Sequence, residues 1–321
     1  MRTIALEEHF ATSEFLAEPG RDLREHSAMQ FGESFFSRLS DIGDERVAAM
    51  DAAGIDVQVL SLSSPGVQNL AAAEARAIAG HTNDAIAQAI RRHPTRFAGF
   101  ATLPTAEPNA AAAELERGVR ELAFVGALIN GHSAGRYLDD PFFSPIFERA
   151  QALDVPIYLH PTMPPVPIRQ TYYDGFAPQV SFMFAGAGWG WHIETATHVL
   201  RIILGGVFDR YPRLQLVIGH LGEALAFMLP RFEMLNPTVT GLQRPIASYL
   251  RENISYTFSG FNFLPSFITL LMQVGADRIL FSTDWPYSAM DAARSFLDTL
   301  PIAPADRERI AHGNAERLLR L

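Results

Sequence analysis

Cysteine is absent from the 321 residues. That removes disulfides, thiolate nucleophiles, Cys-zinc sites and iron–sulfur clusters together. Lysine is absent too, since all 26 basic residues are arginine. Schiff-base chemistry, a pyridoxal-phosphate lysine and a Walker-A phosphate loop are excluded with it. No run of about 18 apolar residues occurs, so no membrane span is expected. The N-terminus lacks a basic stretch followed by an apolar one, which argues against a signal peptide and for a cytoplasmic protein. The formal net charge of −9 argues against nucleic acid as a partner. No glycine-rich dinucleotide fingerprint follows the first strand. Any metal must therefore be held by histidine and carboxylate.

What is present is a regular alternation of strand-like and helix-like stretches. Strands are expected at 3–10, 56–62, 96–101, 126–130, 155–160, 214–220, 254–258 and 278–284. Helical spacing fills 68–92, 108–122, 142–153, 194–208, 223–235 and 265–274, and helices from Asp291 close the chain. Asp44 is expected to cap a helix that Gly54 stops. Eight such units in one uninterrupted 1–321 domain predict an α/β fold, a (β/α)8 TIM barrel, ahead of an open doubly wound sheet. Residues 11–43 and 161–190 read as long loops covering one end.

In such a barrel the chemistry gathers at the C-terminal strand ends. Four of these ends carry candidate ligands: Glu7 and His9, His160, His220, and Asp284. Alternation along a strand places Glu7 and His9 on one side and Glu8 on the other. Each has a plain alternative. Glu7 could cap a strand, His160 could bond a carbonyl beside Pro161, and Asp284 could start a turn before Trp285-Pro286. Unrelated accidents would not all fall on strand ends. The imidazole and carboxylate mix suits zinc or manganese, with magnesium a further option. His26, His81, His93 and His312 read as surface or helix-end residues, while His192 and His198 flank a helix and could line a subunit contact.

Leu6-Glu7-Glu8-His9-Phe10, Tyr158-Leu159-His160-Pro161, Gly219-His220-Leu221-Gly222-Glu223 and Phe281-Ser282-Thr283-Asp284-Trp285-Pro286 together carry a resemblance. The sequence resembles the non-oxidative decarboxylase branch of the amidohydrolase superfamily. That branch includes γ-resorcylate and 2,3-dihydroxybenzoate decarboxylases and, more distantly, aminocarboxymuconate semialdehyde decarboxylase. The resemblance implies one divalent metal on Glu7, His9, His160 and Asp284, and no organic cofactor. It implies His220 and Glu223 as a proton-relay pair, Arg231 facing the substrate's polar groups, and Tyr287 in the pocket wall. His9 points toward the γ-resorcylate type, while Ser288-Ala289-Met290 departs from it by lacking acidic and amide residues. The implied reaction is reversible decarboxylation of an ortho-hydroxybenzoate, with Asp284 protonating the ipso carbon. The implied partners are a small aromatic carboxylate and further copies of the chain, as a homodimer or homotetramer. A lactone or ester hydrolase would use the same ligands. A metal-free scaffold would have no reason to keep them.

Overall fold

The computed structural model describes residues 1–321 except 22, 23, 25–30 and 33. His26 thus lies outside the described residues. Eight parallel strands follow one another in chain order: β1 (Ile4–Phe10), β2 (Val57–Leu62), β3 (Phe97–Thr102), β4 (Gly126–Asn130), β5 (Ile157–His160), β6 (Leu216–Ile218), β7 (Ile254–Thr257) and β8 (Ile279–Leu280). The ring closes between β8 and β1. There the Leu6 amide donates to Phe281 O (3.2 Å), the Asp284 amide to Glu7 O (3.0 Å) and the His9 amide to Trp285 O (2.7 Å). The expected (β/α)8 barrel is the observed one.

The helices form because their apolar residues recur on one face. In Ala72–Arg92 the buried positions include Ala75, Ile78, Ala79, Thr82, Ile86 and Ala89, spaced for a 3.6-residue period. Pro108 occupies the first turn of Pro108–Glu121, where its missing N–H costs nothing. Gly54 ends Asp44–Ala53 in a left-handed conformation (φ 70°), its amide returned to Asp51 and Met50 carbonyls. Asp44 does not cap that helix. It stands inside the first turn, Gly43 holds the cap position, and the carboxylate acts there on the helix dipole.

Three further expectations are corrected. Residues 161–190 are not a bare loop but contain helices Val166–Tyr172 and Pro178–Ala185 and lead into Gly190–Leu204. Prolines drew the loop reading, yet Pro167 and Pro178 sit in first turns, where proline is compatible with a helix. Residues 11–43 likewise contain helices Ser13–Ala17 and Ser34–Ser40. The expected helix 223–235 is broken into Leu225–Met228 and a 3-10 segment Leu229–Met234, preceded by left-handed residues.

The barrel interior is filled by one cluster that includes Ile4, Leu6, Val59, Phe100, Leu128, Tyr158, Val217 and Leu280. The opposite faces, including Ala5, Phe10, Leu60, Ile129, Leu159, Ile218 and Phe281, pack against the helices. In β1 the register against β2 shifts between Ala5 and Glu8. Strict alternation from the inward Ile4 and Leu6 would send Glu7 outward. The irregularity changes the phase, so that Glu7 and His9 turn inward and Glu8 outward.

Candidate metal centre

The site is built on Glu7. Its Oε1 lies 3.2 Å from His160 Nε2, 3.7 Å from His9 Nε2 and 3.8 Å from His220 Nε2. Asp284 Oδ1 lies 3.4 Å from His9 Nε2. Glu7 Oε1 is buried and accepts no hydrogen bond. The ligand atoms of Glu7, His9 and His160 all lie within 4.8 Å of one another. A buried carboxylate oxygen without a donor is costly unless a cation compensates it. The donor set, two or three imidazole Nε2 atoms and two carboxylates, is that of a divalent zinc or manganese site. The residues present therefore fit such a metal.

Around this centre the chain fixes Glu7 and His160 through their other side-chain atoms. Glu7 Oε2 accepts from the Tyr158 hydroxyl and from Ser259, with Thr257 Oγ1 at 3.4 Å. His160 Nδ1 donates to Pro161 O at 2.8 Å, which aims Nε2 at Glu7. The plain reading of His160, a carbonyl bond beside proline, therefore holds for Nδ1 and leaves Nε2 free as a candidate ligand. Arg46 is buried behind β1 and donates to His9 O (2.8 Å) and to Gln58 Oε1 (2.7 Å). Gln58 donates in turn to Glu8 Oε2 at 2.7 Å. Glu8 also accepts from the Thr283 amide (2.8 Å) and hydroxyl (2.6 Å), so it fastens β8 to β1 and stays out of the cluster.

The electrostatics follow from this packing. Burial works against the Glu7 carboxylate, but His220, His160 and His9 outweigh it and hold Glu7 well below the usual carboxylate range. Burial also opposes a charged His9, yet Asp284 and Glu7 raise the imidazole to about 9. For His220, burial is outweighed by Glu223 and Glu7, which lift it to about 10. Burial is the dominant influence on His160, which is lowered. The carboxylates thus favour positive charge at the centre, whether as protons or as a cation.

His220 Nδ1 donates to Glu223 Oε1 at 2.7 Å, so the two residues expected to act as a relay are in contact. A residue that the sequence left as a possible subunit contact joins them: His192 Nδ1 lies 2.6 Å from Glu223 Oε2, and its Nε2 lies 3.0 Å from Ala187 O. The pairing requires a sharply turned backbone. His220, Leu221, Gly222, Glu223 and Ala224 all have positive φ, between 51° and 91°. Asp284 is also left-handed, at φ 66°. Such conformations cost energy and persist where surrounding structure over-determines them. His198, the other undecided histidine, is buried and accepts from the Leu138 amide at 2.9 Å.

Tyr287, expected in the pocket wall, packs beside His9. Its ring packs edge-on against His9 (5.5 Å) and near Phe35 (5.1 Å), and its hydroxyl is 2.5 Å from Ser63 Oγ. Phe261 contacts both His220 (5.3 Å) and His192 (5.0 Å). Arg231 is not brought to the cluster. It is exposed on Leu229–Met234. Strand-end reasoning missed Tyr158, Ser259 and His192. For Tyr158 a signal existed, since a tyrosine two residues before His160 faces the same way and needs a hydroxyl partner.

Residues 36–321 match the amidohydrolase family model. The chain belongs to that family. A γ-resorcylate decarboxylase of Polaromonas sp. is 42% identical, the alignment covering 99% of this chain and 98% of the relative. A crystal structure of a 2,6-dihydroxybenzoate decarboxylase complexed with 2,6-dihydroxybenzoate superposes with a TM-score of 0.92, at 39% identity and full coverage of both chains. A Polaromonas dihydroxybenzoic acid decarboxylase, with bound manganese and the inhibitor 2-nitroresorcinol, gives 0.91 at 40% identity, covering 100% of this chain and 97% of the other. The amidohydrolase barrel seen here is thus shared over the whole of this chain with decarboxylases, one of them with bound manganese.

Proposed function

We propose that this chain is a metal-dependent carboxy-lyase that decarboxylates an ortho-hydroxybenzoate, with 2,6-dihydroxybenzoate the first candidate. The observation that carries the reading is Glu7 Oε1, buried without a donor and facing three imidazole Nε2 atoms. Its support is full-length similarity to decarboxylases of 2,6-dihydroxybenzoate.

Direct loss of CO2 from an aromatic ring would leave an unstable aryl anion, so the ring carbon must be protonated first. A divalent cation held at the centre would supply positive charge for the substrate carboxylate and the ortho phenolate. Glu7, His9, His160 and Asp284 would hold it. Asp284 delivers a proton to the ipso carbon, the carbon–carboxyl bond breaks, and its electron pair restores the ring as CO2 leaves. His220, held by Glu223, returns a proton to Asp284. Glu223 is kept ionised by His220 and His192 against the effect of burial. Tyr287 and Phe261 supply apolar walls that orient the ring and exclude water.

Manganese-loaded protein is expected to release CO2 from 2,6-dihydroxybenzoate, and to stop when a chelator removes the metal. Metal-loaded protein inert toward a panel of hydroxybenzoates, yet hydrolysing a lactone, would overturn the reading. Assembly into a homodimer or homotetramer belongs to the same proposal. Exposed Tyr172, Phe176, Val180 and Trp189, and Phe227 and Met234 in the segments around Arg231, are the apolar surface it would cover. Arg231 is assigned a substrate-facing role only within that assembly. Sedimentation velocity showing a monomer at micromolar concentration would remove it from the site.

A further inference from the structure

The barrel has a second chemically distinct end. Beneath the N-terminal ends of β5, β6 and β8, away from the metal ligands, lies a cavity of about 600 Å3. Val155 and Pro156 lead into β5, Gln215 into β6 and Arg278 into β8, and all four line it. Five arginines face the same space: Arg213, Arg251, Arg278, Arg317 and Arg320. The lining carboxylates are Asp154 and Asp277. Asp154 is taken by Arg320, and Asp277 Oδ1 is 3.6 Å from Arg309, outside the cavity lining. Among the described residues, Arg213, Arg251, Arg278 and Arg317 have no carboxylate within 4 Å.

Three of these four are held in place by neutral acceptors. Arg251 donates to Gln273 O (2.7 Å), Arg278 to Gln215 Oε1 (3.0 Å) and Arg317 to Asp277 O (2.8 Å) and Asn314 Oδ1 (3.0 Å). Their remaining N–H groups are unspent. Arg278 is half-buried, and burial and Arg317 both push its guanidinium below the ordinary arginine range. Like charges converge there on a chain with 35 acidic residues and a net charge of −9, so acids to neutralise them were plentiful in composition but not placed. Such an arrangement is favourable when an external anion completes it.

We propose that this cavity binds a small metabolite carrying two oxyanion groups, phosphate or carboxylate. Arginine's planar fork matches both oxyanions in bidentate geometry. The cavity has the size usual for small-molecule sites, roughly 300–1,000 Å3. Its arginines come from the Arg213 turn, the Ile246–Glu252 helix, the entry to β8 and the C-terminal helix Asn314–Leu319, which suits a ligand with two charged ends. The inference is independent of the reaction at the other end.

Calorimetric titration of the manganese-loaded full-length protein tests it, with fructose 1,6-bisphosphate and succinate as separate probes at constant ionic strength. Saturable binding of one of them is expected, and which one binds identifies the oxyanion. R317Q and R213Q should each weaken that binding roughly tenfold, the scale of one charge-assisted hydrogen bond. Arg213 is exposed and its side chain makes no internal bond, so R213Q reads binding without disturbing the fold. Absence of binding by both probes overturns the inference. So does binding that is unchanged in both variants, since the anion would then sit at the metal centre.

Discussion

The two oxygens of Glu7 are given different tasks. Oε2 is surrounded by hydroxyls of Tyr158, Ser259 and Thr257, whereas Oε1 is left bare toward three imidazoles. Removing one hydroxyl should loosen the first oxygen and let the second drift. Tyr158→Phe is therefore expected to fold normally and to bind manganese about 10–100-fold more weakly, the usual cost of losing a partner that orients a ligand. Competition against a fluorescent chelator measures it, and unaltered affinity would show that Tyr158 does not orient the ligand. Asp284→Asn separates holding metal from moving a proton. An amide oxygen can remain near the cation but cannot deliver a proton to carbon. Metal content should persist while CO2 release falls to background, and substantial turnover in this variant would refute the proton-donor assignment.

At the scale of elements, close approach at the end of β6 sets a limit on sequence. A Cβ added to Gly219 would stand 2.7 Å from Glu7 Oε2 and 2.8 Å from Ser259 Oγ. Gly219→Ala should displace the Glu7 carboxylate, deplete bound metal and destabilise the fold by about 1–3 kcal/mol, as overpacking does. Elemental analysis and urea titration check the two effects; wild-type metal content would mean that the strand end yields freely. The eight strands and their order were legible because each apolar run was bounded by turn residues. Glu7, His9, His160, His220 and Asp284 were legible because a barrel brings such ends together. The phase change in β1 was not. It depends on pairing with β2 and leaves no mark in local composition. His192 was hidden for a related reason: it sits in the first turn of a helix, and only the left-handed turn after β6 carries Glu223 to it. The helices within 161–190 were obscured by prolines whose positions in first turns depend on helix boundaries that composition does not give.

The whole molecule carries an acid liability away from the metal. His198 is buried, and burial together with His132 and Arg201 depresses it to about 3. An unfolded imidazole takes up its proton near pH 6.5, the folded one only near 3. Between these values the unfolded state binds more protons, so stability falls as pH drops, by up to about 1.4 kcal/mol per unit from this group alone. His198→Asn, which keeps an acceptor for the Leu138 amide, should flatten the dependence between pH 6 and 4 in urea titrations. An identical slope in both proteins would show that other groups govern acid unfolding.

The seam between β8 and β1 has a consequence in time. The hydrogen bonds that close the ring, Asp284 N to Glu7 O and His9 N to Trp285 O, involve three of the four candidate metal ligands, Glu7, His9 and Asp284. Glu7 and His9 leave the ribosome first among the candidate ligands, and Asp284 last. A growing chain therefore carries an incomplete set of candidate ligands until residue 284 of 321 is made, with no closed barrel in which to hold it. Completion of the site coincides with joining the two ends of the barrel, so metal capture reports that the whole chain has folded.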